Sequence, residues 1–372
     1  MLELQKHIRQ HGLDSLADLG IRVYRHPSLP LVGFKYSQID SPRNHPVVLE
    51  CRGIVLEDKT WEVIAKPFDR FFNVGEYADE FATFDWENSS CVTKEDGSLI
   101  ILYWYGGEWH VNTSGSFGLG EAPYYSGTWR DLFWEFSGIN REDLDPFRGY
   151  TLIFELCTPY NKVVKRYENP GAYLIGINCP DTEWEAGEGY LDKIAEYMDW
   201  LRPIRFEAHG PEMVAAVIRS MENANEIIEG VVIRDSQRRW KWKTKDYLAL
   251  HRLKDNGNII RPDRLLDIVL TNEQHEVLAV MPEVKTALDQ VQFQFTMVLG
   301  ELMTLWDENK GAASQKEFAL AIKHHKLCHL LFSLRKQFGA DAGEAELLGL
   351  IRPISKKVAE TIFGGQTFTF DI

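Results

Sequence analysis

Apolar and polar residues alternate over short stretches in the first two thirds of the chain and recur every three or four residues in the last third. The runs Ser98 to Tyr105 and Glu108 to Thr113, separated by Gly106-Gly107, predict a β-hairpin. Further β-like runs are Tyr150 to Leu156, Tyr173 to Ile177, Ile227 to Arg234 and Arg239 to Thr244. We therefore predict a mixed or antiparallel sheet domain whose clearest interior helices are Leu191 to Leu201 and Pro211 to Met221.

The last third of the chain carries one long helical stripe. Its apolar members are Val284, Leu288, Val291, Phe295, Val298, Leu302 and Leu305. Such a stripe is typical of packing inside a helical bundle, and a coiled-coil partner is the less frequent alternative. The polar segment Asp255 to Asn258 separates the two patterns. The expected fold class is α+β, with antiparallel sheets and helices over residues 1–255 and an all-helical domain over residues 256–372.

Composition narrows the class of protein. The 372 residues are 44% hydrophobic and 26% charged, which is ordinary for a folded chain. A net charge of −14 argues against non-specific coating of nucleic acid but leaves room for a local basic groove. The 5 cysteines form no C-x-x-C pair, so we expect reduced thiols in the cytoplasm. We expect neither a secretory signal nor a membrane span, because the longest apolar run is far below roughly 20 residues.

The first candidate for chemistry is Lys94-Glu-Asp-Gly-Ser98, just before the hairpin. A lysine is a nucleophile only when its amine is neutral, and a tight Asp-Gly turn can present it. A match this short is by itself more typical of a charged surface turn. Glu155 and Glu229 add carboxylates inside apolar runs, which are costly to bury unless they are paired or bind a cation. Strand alternation then places Arg239, Lys241, Lys243 and Lys245 on one face, as a solvated edge or a phosphate clamp.

In this order, these positions resemble the motif series of covalent nucleotidyltransferases, which include DNA ligases, RNA ligases and mRNA capping enzymes. The chain most resembles the ATP-dependent RNA ligase 1 family of bacteriophages. The segments that carry the resemblance are Glu50-Cys-Arg-Gly-Ile54, Pro67-Phe-Asp-Arg-Phe-Phe-Asn73, Lys94 to Leu99, and Lys241-Trp-Lys243 with Tyr247 and Leu250-His251. The resemblance implies an ATP-grasp-like nucleotidyltransferase domain, followed by a helical domain that DNA ligases and capping enzymes lack.

The resemblance also implies roles for single residues. Lys94 would attack the α-phosphate of ATP and become lysyl-AMP, and Lys241 and Lys243 would bind that phosphate. Arg52 and Arg70 would hold the outgoing pyrophosphate, although a lysine is expected at position 70. Glu155 would accept a hydrogen bond from the ribose, and Glu229 would hold Mg²⁺ or Mn²⁺. Glu95 and Gly97 complete the ATP-binding set.

The adenine pocket, Ser114 and Phe72 fit this pattern less simply. Adenine is expected between Ile177 and Val232, which requires a β-bulge at Gly230 because alternation would otherwise place Val231 beside Glu229. Ser114 occupies a position where the family has a basic residue, so either another cation serves there or phosphate binding is weaker. Phe72 is equally compatible with the site and with the core.

The function implied is ATP-dependent joining of RNA 5′-phosphate and 3′-hydroxyl ends, with broken tRNA as one candidate substrate and RNA repair as the setting. A GTP-dependent capping enzyme, a DNA ligase and an inactive RNA-binding relative are the alternatives. We expect a monomer without a membrane partner, in the cytoplasm of the host if a phage encodes it. The helical domain would select RNA through phosphate contacts of Lys323, Lys326, Arg335 and Lys336, although a basic helix face of this kind is more often merely solvated. A zinc site at His325, Cys328 and His329 is a weaker alternative.

Overall fold

The chain divides into two compact units, residues 1–244 and 245–372, in a computed structural model. The structure describes residues 1–38, 40–76, 83–161, 167, 169–224, 227–236, 238–248, 254–255, 259–271, 274, 277–278 and 281–369. The division therefore falls directly after a strand at Arg239–Lys243, eleven residues before the predicted position 255 (255 − 244). The predicted linker residues 256–258 and the motif residues Leu250 and His251 lie outside the described residues.

The first unit begins with a four-stranded antiparallel sheet. Its strands are β1 (Ile21–Arg25), β2 (Leu31–Tyr36), β3 (Arg52–Glu57) and β4 (Val63–Ala65), in that spatial order. The helix Glu3–His11, the 3₁₀ helix Asp14–Leu19 and the helix Pro46–Glu50 supply apolar side chains to the core on one face. On the opposite face, Leu31, Val55 and Ala65 pack into a second apolar cluster with Ile101 and Tyr103.

Two further sheets complete the first unit. Their strands are β5 (Phe72–Asn73), β6 (Ser90–Thr93), β7 (Ser98–Tyr105), β8 (Glu108–Thr113), β9 (Thr151–Cys157), β10 (Gly171–Asn178), β11 (Arg205–Phe206), β12 (Gly230–Arg234) and β13 (Arg239–Lys243). One sheet has the order β10-β9-β7-β8 and the other β11-β6-β12-β13-β5. Neighbouring strands of these two sheets pair antiparallel in the described residues, except that β13 and β5 are parallel. The predicted hairpin is confirmed as β7 and β8 with its predicted bounds.

Helices pack against these two sheets. They are Trp129–Phe136, Glu188–Met198 and Pro211–Glu222, with a 3₁₀ helix at Arg141–Phe147. The prediction of a helix from Pro211 is confirmed to within one residue. The predicted helix from Leu191 to Leu201 instead begins at Glu188 and ends at Met198, because Asp199 has a φ of 56° that ends the helical hydrogen-bond pattern.

The second unit is mainly helical. Its helices are Pro262–Thr271, Lys285–Asn309, Gln315–Ile322, Cys328–Phe338, Glu344–Ile351 and Ser355–Phe363, with 3₁₀ turns at Pro282–Val284 and Arg352–Ile354. The prediction of an α+β chain with a helical carboxyl-terminal region is confirmed. The prediction that this region is all-helical needs correction, since β14 (Lys254–Asp255), β15 (Ile259–Ile260) and β16 (Phe368–Thr369) pair into a short antiparallel sheet.

The long helical stripe of the second unit drifts around its helix. Leu288, Val291, Phe295 and Leu302 are buried as predicted. The predicted Val298 and Leu305 are only half-buried, and their neighbours Leu299 and Trp306 are buried in the core. A straight helix has 3.6 residues per turn, so a strict spacing of 3.5 moves off the buried face within two heptads. Among the described residues, no helix is both long enough and apolar enough to cross a membrane.

Candidate active site

A cavity of the first unit collects residues that lie far apart in the sequence. Its lining includes Arg52, Lys94, Glu155, Ile175, Val232 and Arg239, from β3, the end of β6, β9, β10, β12 and β13. Of the sequence-predicted site residues, Arg52, Lys94, Glu95, Glu155 and Val232 thus meet at one place. The chemistry of this cavity depends on how its charged groups pair.

Lys94 lies at the end of β6 and pairs with a buried carboxylate. Its Nζ is 2.9 Å from one carboxylate oxygen of Glu229, and the Nζ of Lys243 is 2.8 Å from the other. Burial lowers the pKa of Lys94, but the carboxylates of Glu229 and Glu155 outweigh it and raise that pKa above its ordinary value. For Glu229 burial acts to raise the pKa, yet Lys94 and Lys243 hold it below its ordinary value. Both partners of this pair are therefore charged.

Gly230 gives Glu229 its position. Gly230 has a φ of 140°, and a Cβ there would lie 2.1 Å from the carbonyl oxygen of Trp242, so only glycine fits. The pairing of β12 with β13 runs from Gly230 without a register shift, so the bulge predicted at Gly230 is not present. The strand instead starts at this glycine, which turns Glu229 out of the alternation. Val231 then packs in the core while Val232 lines the cavity with Lys94.

The segment after Lys94 is fixed by hydrogen bonds. The two carboxylate oxygens of Glu95 accept from the hydroxyls of Thr93, at 2.7 Å, and Tyr167, at 3.0 Å. The backbone N–H of Gly97 donates to Glu155 at 3.2 Å. A Cβ on Gly97 would lie 2.3 Å from the carbonyl oxygen of Leu156, so this turn requires glycine. Glu95 thus positions the loop that presents Lys94, whereas Gly97 lets the loop approach β9.

Glu155 is the second carboxylate of the cavity. Burial raises its pKa to about 7, with Glu229 adding to the rise while Lys94 and Arg52 oppose it. A carboxyl group poised between charged and neutral can accept or donate a hydrogen bond near neutral pH. This property suits the predicted contact with a ribose hydroxyl.

The predicted alternation along β13 is present in the structure. Trp240 and Trp242 pack with the core cluster, while Arg239 lines the cavity and Lys243 reaches Glu229. Burial, together with Arg52, Lys243 and Lys94, lowers the pKa of Lys241 to about 8. Lys245 follows the end of the strand and belongs to the second unit.

The apolar wall of the cavity differs from the sequence-based prediction. Ile177 is buried in the core between β10 and its helices, and it does not line the cavity. Ile175 lines the cavity instead, together with Val232. The pairing of β10 with β9 shifts between Leu174 and Gly176, and this bulge redirects Ile175 toward the cavity. A β-bulge depends on pairing between distant strands, so the run of apolar residues in β10 gives no signal for it.

Two arginines of this region lie over aromatic rings. The guanidinium of Arg52 lies 4.6 Å from the ring centre of Phe71, and that of Arg70 lies 4.3 Å from the ring centre of Tyr36. Phe72 packs against the core cluster of β12 and β13, and its ring centre also lies 5.5 Å from the guanidinium of Arg70, so it contacts both the core and a predicted site residue. Phe71, its neighbour, lines the cavity.

Sequence reasoning missed Lys35, which lies next to the position where the basic residue was expected. The Nζ of Lys35 is 3.1 Å from the hydroxyl of Ser114. Burial, together with the charges of Arg52, Arg22, Arg70 and Lys241, lowers the pKa of Lys35 to about 8. A lysine inside the apolar strand Leu31–Tyr36 was the signal available in the sequence.

A family model described as RNA ligase matches residues 50–248, more than half of the chain. The chain belongs to the RNA ligase family. This confirms the family resemblance, and the matched range contains the cavity residues from Arg52 to Lys243. Lys35 lies outside the matched range.

Relatives of this RNA ligase family member occur in viruses. The chain is 26% identical to an RNA ligase of Rhodothermus phage RM378, with 74% of this chain and 78% of that protein covered. It is 27% identical to RNA ligase 1 of bacteriophage TS2126, with 60% and 58% covered. It is also 26% identical to a protein of Autographa californica nuclear polyhedrosis virus whose name proposes a bifunctional polynucleotide kinase/RNA ligase. The match covers 77% of this chain but 43% of that viral protein, so the chain spans less than half of it.

Solved structures of ligases are also similar to this chain. An archaeal ATP-dependent RNA ligase matches over 95% of this chain and 90% of that chain, with 14% identity and a TM-score of 0.47. Another structure of an archaeal ATP-dependent RNA ligase, described as form 1, is 12% identical with a TM-score of 0.46, and the match covers 98% of this chain and 80% of that chain.

The carboxylates of this RNA ligase family member do not form a ready-made metal cage. Among the described residues, no group of three His, Cys, Asp or Glu side chains is placed to hold a metal ion. Mg²⁺ commonly binds one or two carboxylates and completes its shell with water and substrate phosphates. Glu229 fits that mode of binding, because it is a single carboxylate beside Lys94 and Lys243, which could bind substrate phosphates. The zinc site considered at His325, Cys328 and His329 is therefore not formed by these side chains in the structure.

The low pKa values of Lys35 and Lys241 predict that anion binding weakens with rising pH. Both lysines lose their charge as the pH rises through about 8. Inorganic sulfate keeps a fixed charge over this range, so its affinity, measured by calorimetry, should fall about tenfold between roughly pH 7 and pH 9.5. A Lys35→Arg/Lys241→Arg variant keeps both charges and should show a smaller fall in sulfate affinity, the remainder coming from Glu155, whose pKa is about 7. Equal sulfate affinity at both pH values in the unaltered protein would contradict the assignment.

Proposed function

We propose that this protein is an ATP-dependent RNA ligase that seals RNA 5′-phosphate and 3′-hydroxyl ends. The observation that carries the proposal is Lys94 paired with buried Glu229 in a cavity that also contains Glu155 and the cations of β3 and β13. A lone surface lysine would have none of these partners. Membership in the RNA ligase family supports the same reaction.

In the proposed first step, the Nζ lone pair of Lys94 attacks the α-phosphorus of ATP. A P–N bond forms, the bond from the α-phosphorus to the bridging oxygen breaks, and its electron pair leaves with pyrophosphate. Lys94 loses its protons to solvent on the way from ammonium to phosphoramidate. Lys241 and Lys243, on one face of β13, would offset the negative charge that develops on the α-phosphate.

Lys94 must first become neutral, because its ammonium has no lone pair. Glu229 raises the pKa of Lys94 and so works against attack until its charge is compensated. A divalent cation, Mg²⁺ or Mn²⁺, supplies positive charge at Glu229 and the phosphates. Glu229 would hold that ion, and Lys243, also paired with Glu229, would then be released toward the α-phosphate.

In the later steps AMP would pass from Lys94 to the RNA 5′-phosphate, and the RNA 3′-hydroxyl would displace it to form the phosphodiester. Exposed Lys323, Lys326 and Lys336 support RNA contact by the second unit. Arg335 instead donates to the carbonyl of Ala312 at 2.7 Å, so it is engaged within that unit. We extend the proposal to broken tRNA as substrate, to a monomer and to the cytoplasm, a setting that the free cysteines support.

Lys94→Ala should form no AMP adduct and should not seal RNA from ATP, yet it should still seal chemically pre-adenylated RNA in part. The amine is needed covalently only before the RNA adenylate exists. Intact mass after incubation with Mg²⁺ and ATP, with GTP in a parallel sample, measures the adduct. Lys193→Ala, which removes an exposed lysine on the helix Glu188–Met198, is the matched control. An amine-linked adduct on the Lys94→Ala protein would overturn the assignment, and a GMP adduct on the wild type would favour a capping-type enzyme.

Lys243→Ala and Arg52→Ala should differ in which step they damage. Lys243 would contact the α-phosphate in every step, so its variant should seal even pre-adenylated RNA about 10- to 100-fold more slowly. Arg52 would contact only the phosphates that leave first, so its variant should lose adenylation while sealing pre-adenylated RNA at the wild-type rate. Single-turnover rates for both reactions measure the difference. Equal losses by the two variants on pre-adenylated RNA would contradict this division of roles.

A further inference from the structure

Three cations face one another across neighbouring strands of the first sheet. Lys35 on β2 is the register partner of Arg22 on β1 and of Arg52 on β3. Like charges directly opposite on a sheet repel one another and destabilise it. A row of this kind is favourable when an anion lies over it.

Contacts hold Lys35 at the centre of this row. Its Nζ is 3.1 Å from the hydroxyl oxygen of Ser114 and 4.7 Å from the ring centre of Tyr36. Arg22 donates from Nη2 to the carbonyl oxygen of Gly115 at 2.5 Å. Ser114 is the position where the family pattern has a basic residue, and here its hydroxyl is bonded to one.

Within the described part of the chain, the cations of this row and the neighbouring Arg70 have no paired carboxylate, although the charges of Glu155 and Asp69 act on Arg52 from farther away. Among the described residues, Lys35, Arg52 and Arg70 make no ion pair, and the Nη1 atoms of Arg52 and Arg70 are buried without a hydrogen-bond acceptor. The low pKa of Lys35 reports the same imbalance, because burial and the surrounding cations both disfavour its charge. Buried cations without acceptors indicate that a multiply charged anion completes the site.

We propose that Lys35 binds the β- and γ-phosphates of ATP and takes the place of the basic residue that is missing at Ser114. The inference rests on the proposed ligase function and adds a residue to it. The charges that act on Lys35 come from Arg52, Arg22, Arg70 and Lys241. Arg52 and Arg70 are the residues proposed for the outgoing pyrophosphate, whereas Lys94 marks the α-phosphate. Lys35 therefore lies on the leaving-group side of the site.

Lys35→Ala should raise the KM for ATP in the adenylation step about 10- to 100-fold, the effect of losing one charge-assisted hydrogen bond. The reverse reaction gives a direct probe, since inorganic pyrophosphate added to the AMP-carrying protein regenerates ATP. Its KM for pyrophosphate should rise by the same factor. Sealing of pre-adenylated RNA should be unchanged, because no β- or γ-phosphate takes part. Lys35→Gln keeps a hydrogen-bond donor near Ser114 without the charge, and it should raise both KM values in the same way. It replaces Lys35→Ala as the test if that variant folds poorly.

A relocated cation makes the sharpest test. Lys35→Ala/Ser114→Lys returns an ammonium to the position where the family pattern has one, in space that the shorter side chain at 35 vacates. This double variant should recover most of the ATP and pyrophosphate affinity that Lys35→Ala loses. Lys193→Ala, an exposed lysine on another element, should leave both KM values unchanged.

The outcomes separate two kinds of failure. If the wild-type protein forms no AMP adduct, the proposed function fails. If the wild type forms the adduct and both Lys35→Ala and Lys35→Gln keep the wild-type KM for pyrophosphate, only the inference fails. A loss on pre-adenylated RNA as large as the loss with ATP would place Lys35 on the RNA rather than on the leaving group, which would also overturn it.

Discussion

The cavity of the first unit carries more positive charge than its carboxylates neutralise, and the arrangement of the site depends on this excess. Glu229 is shared by Lys94 and Lys243, and Glu155 has a pKa near 7. The cations of β2 and β3 make no ion pair among the described residues. A bound polyanion, as proposed, would relieve their mutual repulsion, so part of the binding energy would be stored in the folded protein before the ligand arrives.

In the proposed reaction Glu229 has two tasks that conflict unless the charge around it changes. In the free protein its carboxylate holds the side chains of Lys94 and Lys243 in place, at 2.9 Å and 2.8 Å. A nucleophilic amine must be neutral, so the pair that positions Lys94 also restrains it. Positive charge arriving at Glu229 would resolve the conflict, because it would weaken the hold on both lysines together. Binding and activation would then be coupled through a single carboxylate.

Local pattern was sufficient to predict the hairpin, the alternation along β13, the turn that follows Lys94 and the strand that carries Glu155. Each of these follows from one segment and the period of a strand. The choice of Ile175 over Ile177 did not follow, since the bulge in β10 arises from its pairing with β9. The contact between Lys35 and Ser114 joins positions 79 residues apart, and no local rule connects them. The drift of the buried stripe from Leu305 to Trp306 was foreseeable from helix geometry alone.

The chain departs from the family pattern at positions 70 and 114, and the two basic groups involved, Arg70 and Lys35, both lie near the ring of Tyr36. At position 70 an arginine replaces the expected lysine, and its guanidinium lies 4.3 Å from the ring centre of Tyr36. The Nζ of Lys35 lies 4.7 Å from the same centre. The site thus keeps two basic groups but moves one from position 114 to position 35 and changes the shape of the other. Charge is retained while donor geometry is altered. A guanidinium presents a planar fork and an ammonium a point charge, so in the proposed site the two groups would bind the phosphates with different hydrogen-bond geometries.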